Sequence, residues 1–426
     1  MDTVTEERRT SPIELLWDLV FVFAVTQVTT LLANDLTWPG LARAMLVLAL
    51  IWWAWSAFVW AANAQATSSR ALRMTLLTAT VFVFVTGVAL PRAFETESTL
   101  FATTYAVVRF LHLALYADAS RKGNAQWSAI AGFAVTVAIG MALLIVGSFT
   151  PGLARYVLWT TALAIDYAGP AWLTRERLRG LQRVAVAHFA ERYSLFVIIC
   201  LGESIVSVGV TAAGGGHKAL STPLIVAVAL GLLITVCMWW TYFDRLAAAA
   251  EERLREHHDP VLAAADAYSY LHLLIVAGII VFAVGAKLLA RGPVSQPLPD
   301  PARLALTAGL ALYLLGQLAF ELRLHGGTGY ARLLAAAALM LLYVVGGGLS
   351  EWSLAALAAG LMAALAALES ASGRLAHAAP GPAFRPDRAG KDRLSADAEA
   401  GAPIAGGAEC PERALREAHG PRDRLS

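Results

Sequence analysis

The chain has 426 residues, of which 58% are hydrophobic and 15% charged, with a formal net charge of +2 and a mean hydropathy of +0.60. A soluble globular chain is about 45–50% apolar and about 25% charged. This balance excludes a string of ordinary soluble domains, a disordered protein and a secreted disulfide scaffold, and the near-neutral charge offers no broad basic field for nucleic acid.

Apolar runs of about 20 residues recur, each long enough to cross a bilayer as a helix. Backbone polar groups cannot stay unpaired in hydrocarbon, and the runs lack the alternation of a barrel. The chain therefore reads as an all-α polytopic transmembrane bundle of about twelve spans. In chain order these fall roughly at 13–33, 41–62, 72–90, 99–117, 127–149, 153–172, 193–213, 222–243, 267–290, 303–321, 331–347 and 349–369. The last two are separated only by Gly346-Gly347-Gly348, so they form either two spans or one re-entrant unit. Residues 1–12 are an N-tail whose mixed charge does not read as a cleaved signal peptide. Residues 13–371 form the membrane domain. Residues 372–426, rich in Ala, Gly, Pro and mixed charge, read as a disordered cytoplasmic tail. Segment 174–192 is basic and amphipathic, and reads as an interfacial loop. Cys200 and Cys237 fall in apolar runs as small buried residues, and with Cys410 they show no metal spacing.

Lys and Arg set the orientation. With twelve spans and the C-tail left out, sixteen of these residues, among them Arg8, Arg9, Arg70, Arg73, Arg192 and Arg332, fall on the side of the termini. Seven fall on the other: Arg43, Arg92, Arg155, Lys218, Lys287, Arg291 and Arg303. Both termini are expected in the cytoplasm.

Ionisable residues within spans are costly and default to functional candidates. Span 1 carries Glu14 and Asp18, one turn apart on one face. Span 4 carries Arg109, His112 and Tyr116. Span 6 carries Asp166 ahead of Gly169-Pro170. Span 7 follows His188, Glu191 and Arg192 and carries Glu203, with Ser204 and Ser207 beside it. Span 9 carries Asp266, Tyr270 and His272, and span 10 carries Gln317 and Glu321. Asp18, His112, Asp166, Glu203, His272 and Gln317 then lie at similar depth, as a shared polar cavity requires. Arg109 pairs with one of Asp18, Asp166 or Glu203. Three deep carboxylates against one deep arginine leave a surplus acid that takes a proton, binds a cation or sits in water. His272 reads equally as a hydrogen-bonded core histidine. The tryptophan cluster of span 2 reads as lipid- or core-facing packing.

Two stretches carry a family resemblance. Glu14-Leu-Leu-Trp-Asp18-Leu-Val-Phe-Val-Phe-Ala-Val-Thr-Gln27 resembles the opening motif of the bacterial low temperature requirement A family. His188-Phe-Ala-Glu191-Arg192-Tyr-Ser-Leu-Phe-Val-Ile-Ile-Cys-Leu-Gly202-Glu203-Ser204-Ile resembles its central motif. Weaker matches lie at Leu158-Trp159 with Asp166 and Pro170, and at Tyr268-Ser-Tyr270-Leu-His272 with Ala277-Gly278. The resemblance spans about residues 10–370, with Trp17 where phenylalanine is usual. It implies a multi-pass bacterial inner-membrane protein and marks Glu14, Asp18, His188, Glu191, Arg192, Gly202 and Glu203 as motif positions. It implies no substrate.

A secondary transporter coupled to protons or cations fits these features first. Its site would be Asp18 and Glu203 approached by Arg109, with Glu14, His112, Asp166, His188, Glu191, Arg192, Ser204 and His272 as further candidates. A channel would need a repeated filter element, and a lipid-homeostasis protein without transport is the remaining alternative. No nucleophile–base pair, metal-ligand spacing or Walker motif is visible, so neither an enzyme nor a cofactor is expected. The expected partners are membrane lipids and a small solute or ion, with no nucleic acid. Spans 1 and 7 enter with the same orientation, which invites a six-plus-six repeat, but Glu14 aligned on Glu191 brings little further identity.

Overall fold

The structure is a computed structural model that describes residues 10–63, 69–121, 127–169, 185–214, 222–291, 296–325 and 329–378. Among the described residues no β-strand forms. The helices are α1 (Pro12–Asn34), α2 (Trp38–Asn63), α3 (Arg70–Ala89), α4 (Ser98–Arg121), α5 (Trp127–Ser148), α6 (Leu153–Ala168) and α7 (Val186–Gly214). They continue as α8 (Thr222–Phe243), α9 (Leu246–Glu256), α10 (Pro260–Leu289), α11 (Asp300–His325), α12 (Tyr330–Val345) and α13 (Glu351–Ala378). Apart from the short α9, these are the twelve expected spans. Eleven are long and apolar enough to cross a membrane. The sixth, α6, is described for 16 residues, and its expected continuation past Gly169 lies outside the described residues.

Burial is inverted relative to a water-soluble protein. Asp18 is 0% exposed while its neighbour Leu19 is 61% exposed, and Leu334 and Val344 on α12 are 68% and 71% exposed. Charges turn inward and aliphatic side chains outward because hydrocarbon, not water, is the surrounding solvent.

The most enclosed spans are α2 and α10, and α12 is the most peripheral. Seven-residue glycine spacing seats α10 against α11. A Cβ at Gly278 would lie 2.4 Å from the Tyr313 backbone nitrogen, and one at Gly309 would lie 2.3 Å from that of Phe282. Gly285 and Gly316 repeat the contact two turns along each helix. Small residues let backbones approach where no hydrophobic drive separates helix from lipid.

Each boundary has a local cause. α1 starts at Pro12 after Ser11, and the Glu14 carboxylate accepts from the Ser11 backbone N–H at 2.9 Å, one arm of a capping box. Asp259 caps α10 by accepting from Leu262 N–H at 3.2 Å, and Pro260 is its first residue. Within α10, residues Ala265–Leu271 widen into a π-turn before the α-helix resumes at His272; such insertions cluster at functional sites.

The segment after span 8 holds the amphipathic helix α9, which buries Leu246, Ala250 and Leu254. Two sequence expectations are corrected. α7 begins at Val186, so the end of the expected interfacial segment 174–192 belongs to a span, and Arg192 is buried within it; residues 170–184 lie outside the described residues. Gly346–Gly348 forms one 3-10 turn, and α12 and α13 are two helices joined as an antiparallel hairpin. Arg332 at the start of α12 pairs with Glu369 near the end of α13 at 2.9 Å, and also with Glu321 of α11. Residues up to Gly373 form one compact unit. α13 runs on to Ala378, so residues 372–378 of the expected disordered tail are helical instead; the rest of that tail lies outside the described residues.

Candidate functional site

The buried ionisable residues divide into separate groups, each built on helix periodicity. The first is a ladder between α1 and α7. Glu14 and Asp18 stand one turn apart on α1, and His188 and Arg192 stand one turn apart on α7, so two i, i+4 pairs meet in register. Arg192 Nη2 donates to Asp18 Oδ1 at 2.6 Å, and its Nη1 lies 3.3 Å from Glu14 Oε1. His188 Nε2 lies 3.2 Å from the same Glu14 oxygen. From α2, Trp55 Nε1 donates to Asp18 Oδ1 at 2.8 Å. All four ladder residues are buried. Glu191, expected beside them, is exposed on α7, because one residue along a helix turns the side chain by about 100° from Arg192.

The second group joins α4 to α6. Arg109 Nη2 donates to Asp166 Oδ1 at 2.7 Å, with both side chains fully buried. This corrects the expectation that Arg109 approaches Asp18 and Glu203. Asp18 already has Arg192 as its cation, a residue the sequence reading had placed in a loop. His112 lies one turn from Arg109, also buried, edge-on to Tyr116 at 5.0 Å.

The third group is Glu203 near the middle of α7. Its Oε2 accepts from Thr26 Oγ1 of α1 at 2.5 Å, and its Oε1 accepts from Ser207 Oγ at 2.6 Å. Among the described residues, no Lys, Arg or His nitrogen lies within ion-pair distance of it. Asp18 meets Arg192 and, further along both chains, Thr26 meets Glu203, so α1 and α7 run parallel. Ser204, expected beside Glu203 in the site, donates instead to the Cys200 carbonyl of its own helix at 3.3 Å.

His272 belongs to none of these groups. Its Nε2 bonds to Tyr242 OH at 2.7 Å, and its ring stacks on Tyr268 at 5.1 Å. It is the hydrogen-bonded core histidine of the blander sequence reading. Gln317 is buried, and neither side-chain amide atom has a partner among the described residues. The single shared cavity expected for six polar groups is thus replaced by distinct pairings.

Sequence reasoning missed the neutral members. Thr26 holds Glu203, and Trp55 holds Asp18. Trp52 Nε1 donates to the Ser269 carbonyl at 2.7 Å and Trp60 Nε1 to Ser269 Oγ at 2.8 Å, which ties α2 to the π-turn of α10. The α2 tryptophans, expected as packing, are therefore also donors into the polar interior. A tryptophan or threonine inside an apolar run gives no one-dimensional sign of such a role.

Four carboxylates (Glu14, Asp18, Asp166, Glu203) thus meet two guanidinium groups (Arg109, Arg192). Arg192 answers Asp18, Arg109 answers Asp166, and His188 adds a contact to Glu14. Glu203 has hydroxyl donors alone among the described residues, and these stabilise a carboxylate less than a cation does. No group of three or more His, Cys, Asp or Glu among the described residues is arranged to hold a metal ion.

The sequence profile of the bacterial low temperature requirement A protein (LtrA) matches residues 9–367. An uncharacterised protein of Rhizobium meliloti (strain 1021) is 33% identical over 288 residues, covering 66% of this chain and 69% of that protein. No solved structure matches the chain. The matched span contains the α1–α7 ladder, the Arg109–Asp166 pair and Glu203, and on that match this multi-pass membrane protein belongs to the bacterial low temperature requirement A family.

Proposed function

We propose that the protein is a secondary transporter that couples movement of a small solute to protons or another cation, with Glu203 as the coupling group. The observation that carries this reading is a buried carboxylate at mid-helix held by Thr26 and Ser207 hydroxyls and by no cation among the described residues. An acid at that depth has to carry a proton or hold a cation when it is not solvated.

The two α1–α7 contacts differ in kind. At one end the Glu14/Asp18–His188/Arg192 ladder ties the helices with charges. About eleven residues along α7, some 16 Å at 1.5 Å per residue, Glu203–Thr26 ties them with a bond that depends on the state of one carboxyl. As a carboxylate, Glu203 accepts from both hydroxyls. Once protonated, Glu203 can donate to Thr26 Oγ1, whose own hydrogen then turns to the Val22 carbonyl at 3.0 Å, so this contact reverses direction. Loading the site would then exchange the bond at one end of the helix pair while the ladder holds the other.

In this reading both termini face the cytoplasm. Withdrawing the buried Arg192 and Arg332 from the count leaves fourteen basic residues on that side against seven. A non-transporting role with lipid is the second reading. It is favoured by an apolar groove of about 780 Å3 between the α1–α2 turn, α11 and α12, lined by residues such as Leu32, Leu304 and Met340.

The test is Glu203→Gln in sealed proteoliposomes carrying an internal pH-sensitive dye. The substitution preserves shape and removes the titration. Coupled proton movement should fall to the level of empty vesicles while the purified variant melts close to wild type. Unchanged, pH-dependent flux would remove Glu203 from the mechanism.

A further inference from the structure

A chamber of about 50 Å3 lies apart from Glu203, between α2, α4, α5 and the π-turn of α10. Its walls are aromatic: Trp53, Trp60, Tyr116, Phe133 and Tyr270 line it, with Ser56, Ser269 and His112 between them. The rings are held by their neighbours. Trp53 stacks on Tyr167 at 4.1 Å and lies 5.4 Å from Tyr270, while His112 stands edge-on to Phe133 at 5.5 Å. The volume suits a few waters or one small organic group.

Two atoms at this chamber lack partners. Trp53 Nε1, a donor only, and His112 Nδ1, which can accept, are buried and make no hydrogen bond among the described residues; the indole needs an acceptor such as a water, and His112 needs a donor. Buried polar atoms left in this way call for a water or a ligand. The serines add capacity. Ser56 Oγ and Tyr193 OH are 2.6 Å apart, and Tyr193 OH and Ser269 Oγ are 3.1 Å apart. With Ser269 donating to Tyr193 and Tyr193 to Ser56, each serine oxygen keeps a lone pair, even though Trp60 already donates to Ser269. Ser56 Oγ, Ser269 Oγ and His112 Nδ1 then make three acceptors. A primary ammonium group has three N–H donors.

Charge points the same way. Among the described residues the buried carboxylates Glu14, Asp18, Asp166, Glu203 and Glu351 outnumber the buried guanidinium groups Arg109, Arg192 and Arg332, so a cation is favoured over an anion. Arg109, one turn from His112, is neutralised by Asp166. No Asp, Glu, Lys or Arg lines the chamber, so ring faces would meet the positive charge.

We propose that this chamber is the solute site and that it takes a small primary ammonium compound, its N–H groups on Ser56, Ser269 and His112 and its charge and alkyl group against the rings. The assignment rests on the transport reading for the word solute, but binding itself requires no coupling.

The experiment uses the full-length chain in lipid nanodiscs and isothermal titration calorimetry with methylammonium chloride, against methanol as an uncharged molecule of similar size. Saturable methylammonium binding with none for methanol is expected, and Ser56→Ala and His112→Phe should each weaken it at least tenfold. Equal heats from the two probes, or full affinity in both variants, would overturn the proposal. Should either variant fail to fold, Ala265→Cys in a chain whose Cys200, Cys237 and Cys410 are replaced by serine gives an independent reading. Methylammonium should slow thiol labelling there and methanol should not; loss of that protection also overturns the site. Binding without proton flux would support the chamber and retire the coupling role of Glu203. Flux without methylammonium binding would retire the chamber alone.

Discussion

Removing Arg192 should be among the most damaging single changes in the membrane domain. The guanidinium touches Asp18 at 2.6 Å and Glu14 at 3.3 Å with all three groups buried. Arg192→Gln leaves Asp18, among the described residues, with the Trp55 indole, and takes the Arg192 guanidinium from Glu14, which keeps His188 and the Ser11 amide and hydroxyl. Breaking one side of a buried pair costs about 3–5 kcal/mol, mostly because the partner charge is left behind. Replacing both sides costs far less, so Asp18→Asn together with Arg192→Gln should recover a large part of the loss. The coupling energy of the double-mutant cycle is expected at about 2–3 kcal/mol in favour of the pair. Unfolding in mixed micelles titrated with sodium dodecyl sulfate, followed by tryptophan fluorescence, measures all four corners. Glu14 still lacks the Arg192 charge in the double variant, so recovery should stay incomplete, and adding Glu14→Gln should bring it closer to wild type. Additivity of the two single changes within about 0.5 kcal/mol would mean that the ladder does not bind α1 to α7, and the two-contact account of that helix pair would fall with it.

Gly278→Ala should destabilise by about 1–3 kcal/mol through overpacking, because the new methyl would press on the Tyr313 backbone at 2.4 Å; the same change at Gly360, where nothing lies within 4 Å, should be nearly neutral, and equal melting of the two variants would contradict the α10–α11 seam. Labelling whole cells with an impermeant thiol reagent should modify a cysteine placed at His217 and spare cysteines placed at Thr5 and Gly180, whereas strong labelling at Gly180→Cys would reverse the proposed orientation.

Much of the architecture was legible in one dimension because hydrocarbon allows so few solutions. A run of about 20 apolar residues has one stable way to satisfy its backbone, so eleven of the twelve expected spans, those long and apolar enough among the described residues, could be read from hydropathy alone, to within a few residues at most ends. The candidate acids were legible for the same reason: Glu14, Asp18, Asp166 and Glu203 are costly where they stand, and all four are buried. Their partners were not legible. Arg192 sits six residues into α7, and its neighbours Glu191 and Arg183 made it look like part of a basic loop; only the packing of α7 on α1 shows that it answers Asp18. Arg109 had three acids within plausible reach in sequence, and the choice of Asp166 follows from α4 meeting α6. Glu203 lost its expected cation by the same rearrangement and found Thr26, a residue that an apolar run hides. Helix periodicity determines which residues share a face of one helix, and the sequence carries that in full. Which face meets which depends on close approaches such as the α10–α11 glycine seam and on indole donors from α2, and those exist only once the helices are side by side.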